Sequence, residues 1–140
     1  IAAERPEPEV QFMREFGENL GIAFQLMDDV LDYIGEQTNL GKQLGDDLAE
    51  GKITLPLLYA LQNSGSPEEK AFIEQAIMTA NRNSLPKLME LIIKSGGVNY
   101  AMERAEHYAL QAQKNLSYLS SSSYKDALIN LTHLVINREY

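Results

Sequence analysis

The sequence predicts an all-α helical bundle. Apolar residues recur at three- and four-residue spacing through most of the 140 positions. No stretch alternates apolar and polar residues as a strand would. Proline, glycine and serine clusters fall between the periodic stretches, where helices start and stop. Helices of this kind pack through their apolar faces.

Residues 1 to 8 read as a turn or loop, with Pro6 and Pro8 as breakers. The first helix is expected from about Val10 to Ile34, closed by Gly35. Met13, Phe16, Leu20, Ala23, Met27, Val30 and Ile34 form its apolar seam. Ile22, Phe24, Leu26 and Leu31 add apolar groups on other faces, so burial nearly all round is expected. Gly17 and Gly21 share a stripe with Gln25 and Asp28. Each costs about 1 kcal/mol relative to alanine in a helix interior, which fits close approach of a neighbouring helix or a ligand. Residues 35 to 51 are expected to form a loop made permissive by Gly35, Gly41, Gly45 and Gly51.

A short buried helix should follow from Thr54 to Leu61, with Thr54 as N-cap and Pro56 in its first turn. Asn63 to Pro67 is a turn. Ser66-Pro67-Glu68-Glu69 then supplies an N-cap, a proline at the first position and a glutamate at the third. That helix carries Phe72, Ile73, Ala76 and Ile77 and should stop near Asn81-Arg82-Asn83. Ser84 is expected to cap the next, whose Leu85, Leu88, Leu91 and Ile92 face a core. Gly96-Gly97 breaks it. A longer helix is expected from about Val98 to Leu119, with Ala101, Ala105, Tyr108, Ala112 and Leu116 at helical spacing. Ser120 to Ser123 reads as a linker. The last helix, about Tyr124 to Asn137, should bury Leu128, Leu131, Leu134 and Val135.

The net charge of −8 and a pI near 4.7 argue against nucleic acid, which calls for a basic patch. The absence of cysteine excludes disulfides and thiolate metal sites. No apolar run approaches the ~18 residues of a spanning helix, and no signal peptide is visible in the charged N-terminus. The chain opens on Ile1, so it is expected to begin inside a longer protein. His107 and His133 are expected on helix surfaces rather than at zinc. Tyr59, Tyr108 and Phe72 are expected in the core. No Ser–His–Asp arrangement, P-loop or dinucleotide fingerprint stands out.

One stretch breaks the helical pattern: Phe24-Gln25-Leu26-Met27-Asp28-Asp29-Val30-Leu31-Asp32-Tyr33. Aspartate is a poor helix former, and like charges one turn apart repel. Asp28 and Asp32 stand at i and i+4, Asp29 and Asp32 at i and i+3, so the carboxylates share a face, with Gln25 one turn before. Converging carboxylates suit a hard cation such as Mg²⁺, which completes its shell with water and phosphate oxygens. Between Arg14 and Lys70 the only basic residues are Lys42 and Lys52. They flank Asp46-Asp47 in the glycine-rich segment. Carboxylates for a metal, lysines for phosphate and permissive backbone read together as a metal–diphosphate site.

Phe24-Gln25-x-x-Asp28-Asp29-x-x-Asp32, Gly41-Lys42, Gly45-x-Asp47 and Gly51-Lys52-x-Thr54-x-Pro56 together resemble the second aspartate-rich region of the trans-polyprenyl diphosphate synthases. The likeness is sharpest from Phe16 to Leu61 and is greatest to the bacterial long-chain members, with an octaprenyl product for quinone side chains. It implies the C-terminal part of an isoprenoid-synthase fold. Residues 1–140 would be part of a single synthase domain whose N-terminal half, with the first aspartate-rich motif, is absent; alone, the chain is not expected to catalyse.

The implied activity is a cytoplasmic, Mg²⁺-dependent prenyltransferase, with Mn²⁺ also fitting, that is homodimeric and extends an allylic diphosphate such as farnesyl diphosphate with isopentenyl diphosphate. By resemblance Asp28 would be the principal metal ligand, with Asp29 and Asp32 directly or through water. Asp47 would orient metal-bound water. Lys42 and Lys52 would pair with the allylic diphosphate, and Phe24 and Gln25 would border the isopentenyl site. A terpene cyclase-like enzyme and a non-catalytic subunit of a heteromeric synthase are the alternatives. The Gly45-x-Asp47 and Gly51-Lys52-x-Thr54 elements favour elongation over the first. The complete second-motif set counts against the second.

Overall fold

A computed structural model describes residues 6–34, 45–79 and 81–137. Among these residues there are seven α-helices and no strand: α1 (Glu7–Ile34), α2 (Asp46–Ala49), α3 (Leu55–Gln62), α4 (Pro67–Thr79), α5 (Leu85–Lys94), α6 (Gly97–Asn115) and α7 (Ser123–Ile136). A 3₁₀ turn at Arg82–Ser84 precedes α5. No helix is long and apolar enough to cross a membrane among the described residues. The chain divides into two compact units, Ile1–Met27 with Glu103–Glu139, and Asp28–Met102. Both α1 and α6 contribute to each.

The first unit is built on α1, α6 and α7. Helix α1 begins at Glu7, earlier than the prolines suggest. Pro8 falls in its first turn, where a missing N–H costs nothing, and the Pro6 carbonyl accepts from Glu9 and Val10. Small residues of α6 let the helices close together: Ala112 packs with Phe16 and Leu116, and Ala109 with Ala23 and Val135. A polar chain fixes the register, with Asn19 donating to Asn115 (3.0 Å) and Asn115 to Glu15 (2.9 Å). Helix α6 ends at Asn115, short of Leu119, and tightens into 3₁₀-type bonds beyond. Ser122, inside the serine run, caps α7 through its Oγ.

Two expectations about burial change here. Leu131 and Leu134 are exposed, and the inward stripe of α7 instead holds Thr132 and Val135. Thr132 can be buried because its hydroxyl donates to the Ile129 carbonyl and accepts from Gln113. Gly17 and Gly21 meet no close neighbour: a Cβ at either would have nothing within 4 Å. With Leu20, Phe24, Leu131, Leu134 and Val135 they line an open groove of about 340 Å³.

The second unit packs α3, α4 and α5 against one another. Leu57, Ile73, Leu88 and Ile92 are among its buried side chains. Ser66 caps α4 as expected, accepting from the Glu69 N–H, while Glu69 reaches back to the Gly65 N–H. Ser84 makes no capping bond; Asn81 caps the 3₁₀ turn instead. Gly96 has φ +83°, and Gly97 opens α6 where a Cβ would lie 2.4 Å from the Pro56 carbonyl oxygen. Only glycine fits that approach. Tyr59 is half-buried and stacks on Tyr100, and Phe72 is half-buried beneath the Lys87 ammonium, so neither is fully core. Tyr108 is half-buried in the first unit, and His107 and His133 are exposed as expected.

Candidate functional site

Helix α1 is amphipathic rather than buried all round. Ala23, Met27 and Val30 form its inward stripe, whereas Met13, Ile22, Phe24 and Ile34 are exposed. The sequence's apolar content overstated burial because these residues lie outside the inward stripe. Asp28, Asp29 and Asp32 are half-buried on the last two turns, within the second unit. A helix C-terminus carries partial negative charge, and the last turn of α1 holds no basic residue. Asp32 stands in that last turn, with Asp28 one turn before it on the same face.

The segment from Gly45 to Thr54 is tied to this helix end at both of its own ends. The Gly45 N–H donates to the Asp32 carbonyl at 2.8 Å. Gly45 is buried at φ +81°, and a Cβ there would stand 3.0 Å from the Met89 sulfur. At the far end the Thr54 and Tyr33 hydroxyls share a buried hydrogen bond of 2.8 Å. Thr54 has the extended conformation of an N-cap but makes no side-chain capping bond to α3. Its hydroxyl is committed to Tyr33 instead. Burial pushes the Tyr33 hydroxyl up to about 12; the bond to Thr54 pulls the other way, and the charges of Asp32, Asp29 and Asp47 add to the rise.

Between these ties the chain is short and internally bonded. The expected loop includes a helical turn, α2, whose Ala49 N–H donates to Gly45. The Lys52 N–H then donates to the Asp47 carbonyl at 2.9 Å. The Lys52 ammonium pairs directly with the half-buried Asp47 and also with Glu50 at 3.1 Å. The hydrogen bond it donates to Asp47 chiefly, then that to Glu50, raises the Lys52 pKa above the ordinary lysine range.

The second unit thus brings Asp28, Asp29, Asp32, Asp47 and Lys52 onto the end of α1 and the segment bonded to it. Phe24 and Gln25 are exposed on α1 in the first unit. Lys42 and Gly41 lie outside the described residues. Among the described residues no group of three or more His, Cys, Asp or Glu side chains forms a ready metal cage. Mg²⁺ usually takes only one or two carboxylates and fills its shell with water and phosphate oxygens, so a carboxylate pair one helical turn apart fits such an ion. Sequence reasoning missed Glu50 as a partner of Lys52, and Tyr33 and Thr54 as a pair. Nothing in the sequence signals the Tyr33–Thr54 pair, whose members lie 21 positions apart.

The family model for polyprenyl synthetase matches residues 1–93. The chain is 40% identical over 141 aligned positions to an octaprenyl diphosphate synthase of Haemophilus influenzae, covering 100% of this chain and 43% of that protein. It superposes on the crystal structure of a polyprenyl synthase from Caulobacter crescentus, complexed with calcium and isoprenyl diphosphate, with a TM-score of 0.87 and 38% identity, over 97% of this chain and 42% of that one. It also resembles a geranylgeranyl pyrophosphate synthase of Corynebacterium glutamicum, complexed with isoprenyl diphosphate and magnesium (TM-score 0.83, 26% identity, 96% and 39% covered). The chain therefore spans about two fifths of the length of the relatives it matches.

Proposed function

The chain belongs to the polyprenyl synthetase family, and from that premise we propose that it serves in extending an allylic diphosphate, such as farnesyl diphosphate, with isopentenyl diphosphate. The observation that carries the reading is the half-buried run Asp28, Asp29 and Asp32 on a helix end without a base, bonded to a segment bearing Asp47 and Lys52. Carboxylates that share a helix face suit a divalent cation, and a lysine on the segment bonded to that helix suits a diphosphate.

Mg²⁺, when bound, would neutralise charge on the departing diphosphate. Asp28 would be the principal ligand, with Asp29 and Asp32 directly or through water and Asp47 orienting a bound water. In the chain as it stands Lys52 is held by Asp47 and Glu50. Its proposed work is to turn toward diphosphate oxygens, with Lys42, and hold the negative charge that develops as the carbon–oxygen bond breaks. Phe24 and Gln25 would border the isopentenyl site. The double bond of isopentenyl diphosphate then forms the new carbon–carbon bond, and a proton leaves to restore an alkene, five carbons longer. An octaprenyl product, for which the name of the Haemophilus influenzae relative is the support, its use in quinone side chains, a homodimer and a cytoplasmic location complete the proposal. Residues 1–140 would act as part of one synthase domain rather than catalyse alone.

Calorimetric titration with Mg²⁺ and a non-hydrolysable farnesyl diphosphate analogue tests it. Binding that needs both the metal and the aspartates is expected. Equal binding by an Asp28→Asn, Asp29→Asn variant would overturn it.

A further inference from the structure

The segment from Gly45 to Thr54 forms a strap whose ends attach to consecutive residues of α1. One tie runs from the Gly45 N–H to the Asp32 carbonyl, the other between the Thr54 and Tyr33 hydroxyls, each 2.8 Å long. The residues that bring charge, Asp47 and Lys52, lie between the ties. The first tie is main-chain and is formed whatever side chain stands at Asp32. The second depends wholly on two hydroxyl groups.

Several features single out the second tie. Tyr33 is 2% exposed and Thr54 7% exposed. Thr54 stands at the N-cap of α3 yet gives that helix no side-chain bond. A threonine there would ordinarily cap its own helix; here the hydroxyl joins a residue 21 positions earlier. Lys52 is two residues from this tie, and its own side chain is half exposed and, among the described residues, ion-paired with the strap's Asp47 and Glu50. The place of its ammonium relative to the α1 carboxylates therefore follows the placement of the strap.

We infer that Tyr33 and Thr54 are positioning residues: their buried hydroxyl pair sets the strap against the aspartate-bearing end of α1 and so fixes where Lys52 meets a bound diphosphate. This deepens the diphosphate reading of the same site and rests on it. Neither residue touches the ligand.

The test uses Tyr33→Phe and Thr54→Val, which remove one hydroxyl each at nearly constant shape, and Thr54→Ser, which keeps it. Two readouts are taken on the whole chain. The first is calorimetric binding of inorganic pyrophosphate in the presence of Mg²⁺. The second is the rate of lysine acetylation by mass spectrometry, comparing Lys52 with Lys94, another ion-paired lysine of the same unit. Tyr33→Phe and Thr54→Val are expected to weaken binding about tenfold, the order of one buried hydrogen bond, while Thr54→Ser stays near wild type. Both should quicken acetylation at Lys52 and leave Lys94 unchanged.

Unaltered Lys52 reactivity, or a rise at Lys52 and Lys94 together, would overturn the inference, since the pair would then be inert or merely structural. Unaltered pyrophosphate binding by the two variants would overturn it equally. A wild-type chain that bound no pyrophosphate would sink the diphosphate reading and, with it, the functional half of the inference; selective labelling would still bear out the strap itself.

Discussion

Two helix ends in the second unit are built on opposite principles. Helix α5 finishes with Lys94 in its last turn, the charge that a helix C-terminus favours. Lys94 donates at 2.8 Å to Glu69, which sits in the first turn of α4, where a negative charge is favoured in turn. Beyond it the Ser95 hydroxyl donates to the Ile92 carbonyl, and Gly97 closes onto the Pro56 carbonyl. That end is sealed and electrostatically content. Helix α1 finishes with Asp28, Asp29 and Asp32 and no base in its last turn. The nearest lysine on the strap is occupied by other carboxylates. The first end spends its charges on the fold. The second carries carboxylates that share one helix face, an arrangement whose chemistry suits a hard cation.

The sharpest way to break this comparison is at α1. Asp28→Asn with Asp29→Asn should weaken Mg²⁺-dependent diphosphate binding by at least about a hundredfold, beyond the loss typical of a group that only orients a ligand. The same variant should stay folded, because the main-chain tie of the strap to α1 is untouched. Calorimetry and thermal unfolding read the two halves. A fall in melting temperature with intact binding would make the aspartates structural.

Gly97→Ala should act on the sealed end alone. The added Cβ would press on the Pro56 carbonyl, and a loss of about 1–3 kcal/mol in unfolding free energy is expected, measured in urea.

The two lysines should then separate. Lys52→Gln should weaken diphosphate binding and barely move the melting temperature, since exposed pairs contribute little to stability. Lys94→Gln should lower the melting temperature slightly and leave binding unchanged. Equal behaviour of the two would erase the distinction between the ends.

The smallest expected effect is on pH dependence. The hydrogen bond from Lys94 holds the Glu69 carboxyl below the ordinary glutamate range. A carboxyl whose folded pKa is depressed stabilises fully above its unfolded value, ~4.3, and loses that contribution as pH falls through the folded value. Stability curves of wild type and Glu69→Gln should therefore converge on acidification and separate above about pH 5.

Most of this architecture could be read from the chain, because start signals and apolar spacing agree. Ser66-Pro67-Glu68-Glu69 gave the start of α4 through a cap that forms as expected. Asp28, Asp29 and Asp32 stood out because they broke the helical pattern, and Asp47 and Lys52 because they fell in the glycine-rich segment that follows. What escaped depended on choices a sequence does not display. Pro8 stands equally well before a helix or inside its first turn. Thr54 could cap its own helix or reach Tyr33, and only tertiary packing selects between hydroxyl partners. Val135 is buried as expected, but Leu131 and Leu134, which fit a three-residue period, are exposed, and Thr132 faces inward once Gln113 is there to satisfy it. Met13 and Ile34 likewise continue a seam that the core of their units does not reach.

The tie from Gly45 to Asp32 has a practical meaning for any mutational scan of this region. It runs through peptide groups, so replacing the Asp32 side chain removes a carboxylate without unhooking the strap. A substitution at Asp32 can be interpreted as loss of a carboxylate with the main-chain tie kept, whereas one at Asp47 also removes a partner of Lys52. At Gly45 the opposite holds: any side chain must take the positive φ and crowd Met89, so a substitution there disturbs geometry while every charged group is kept.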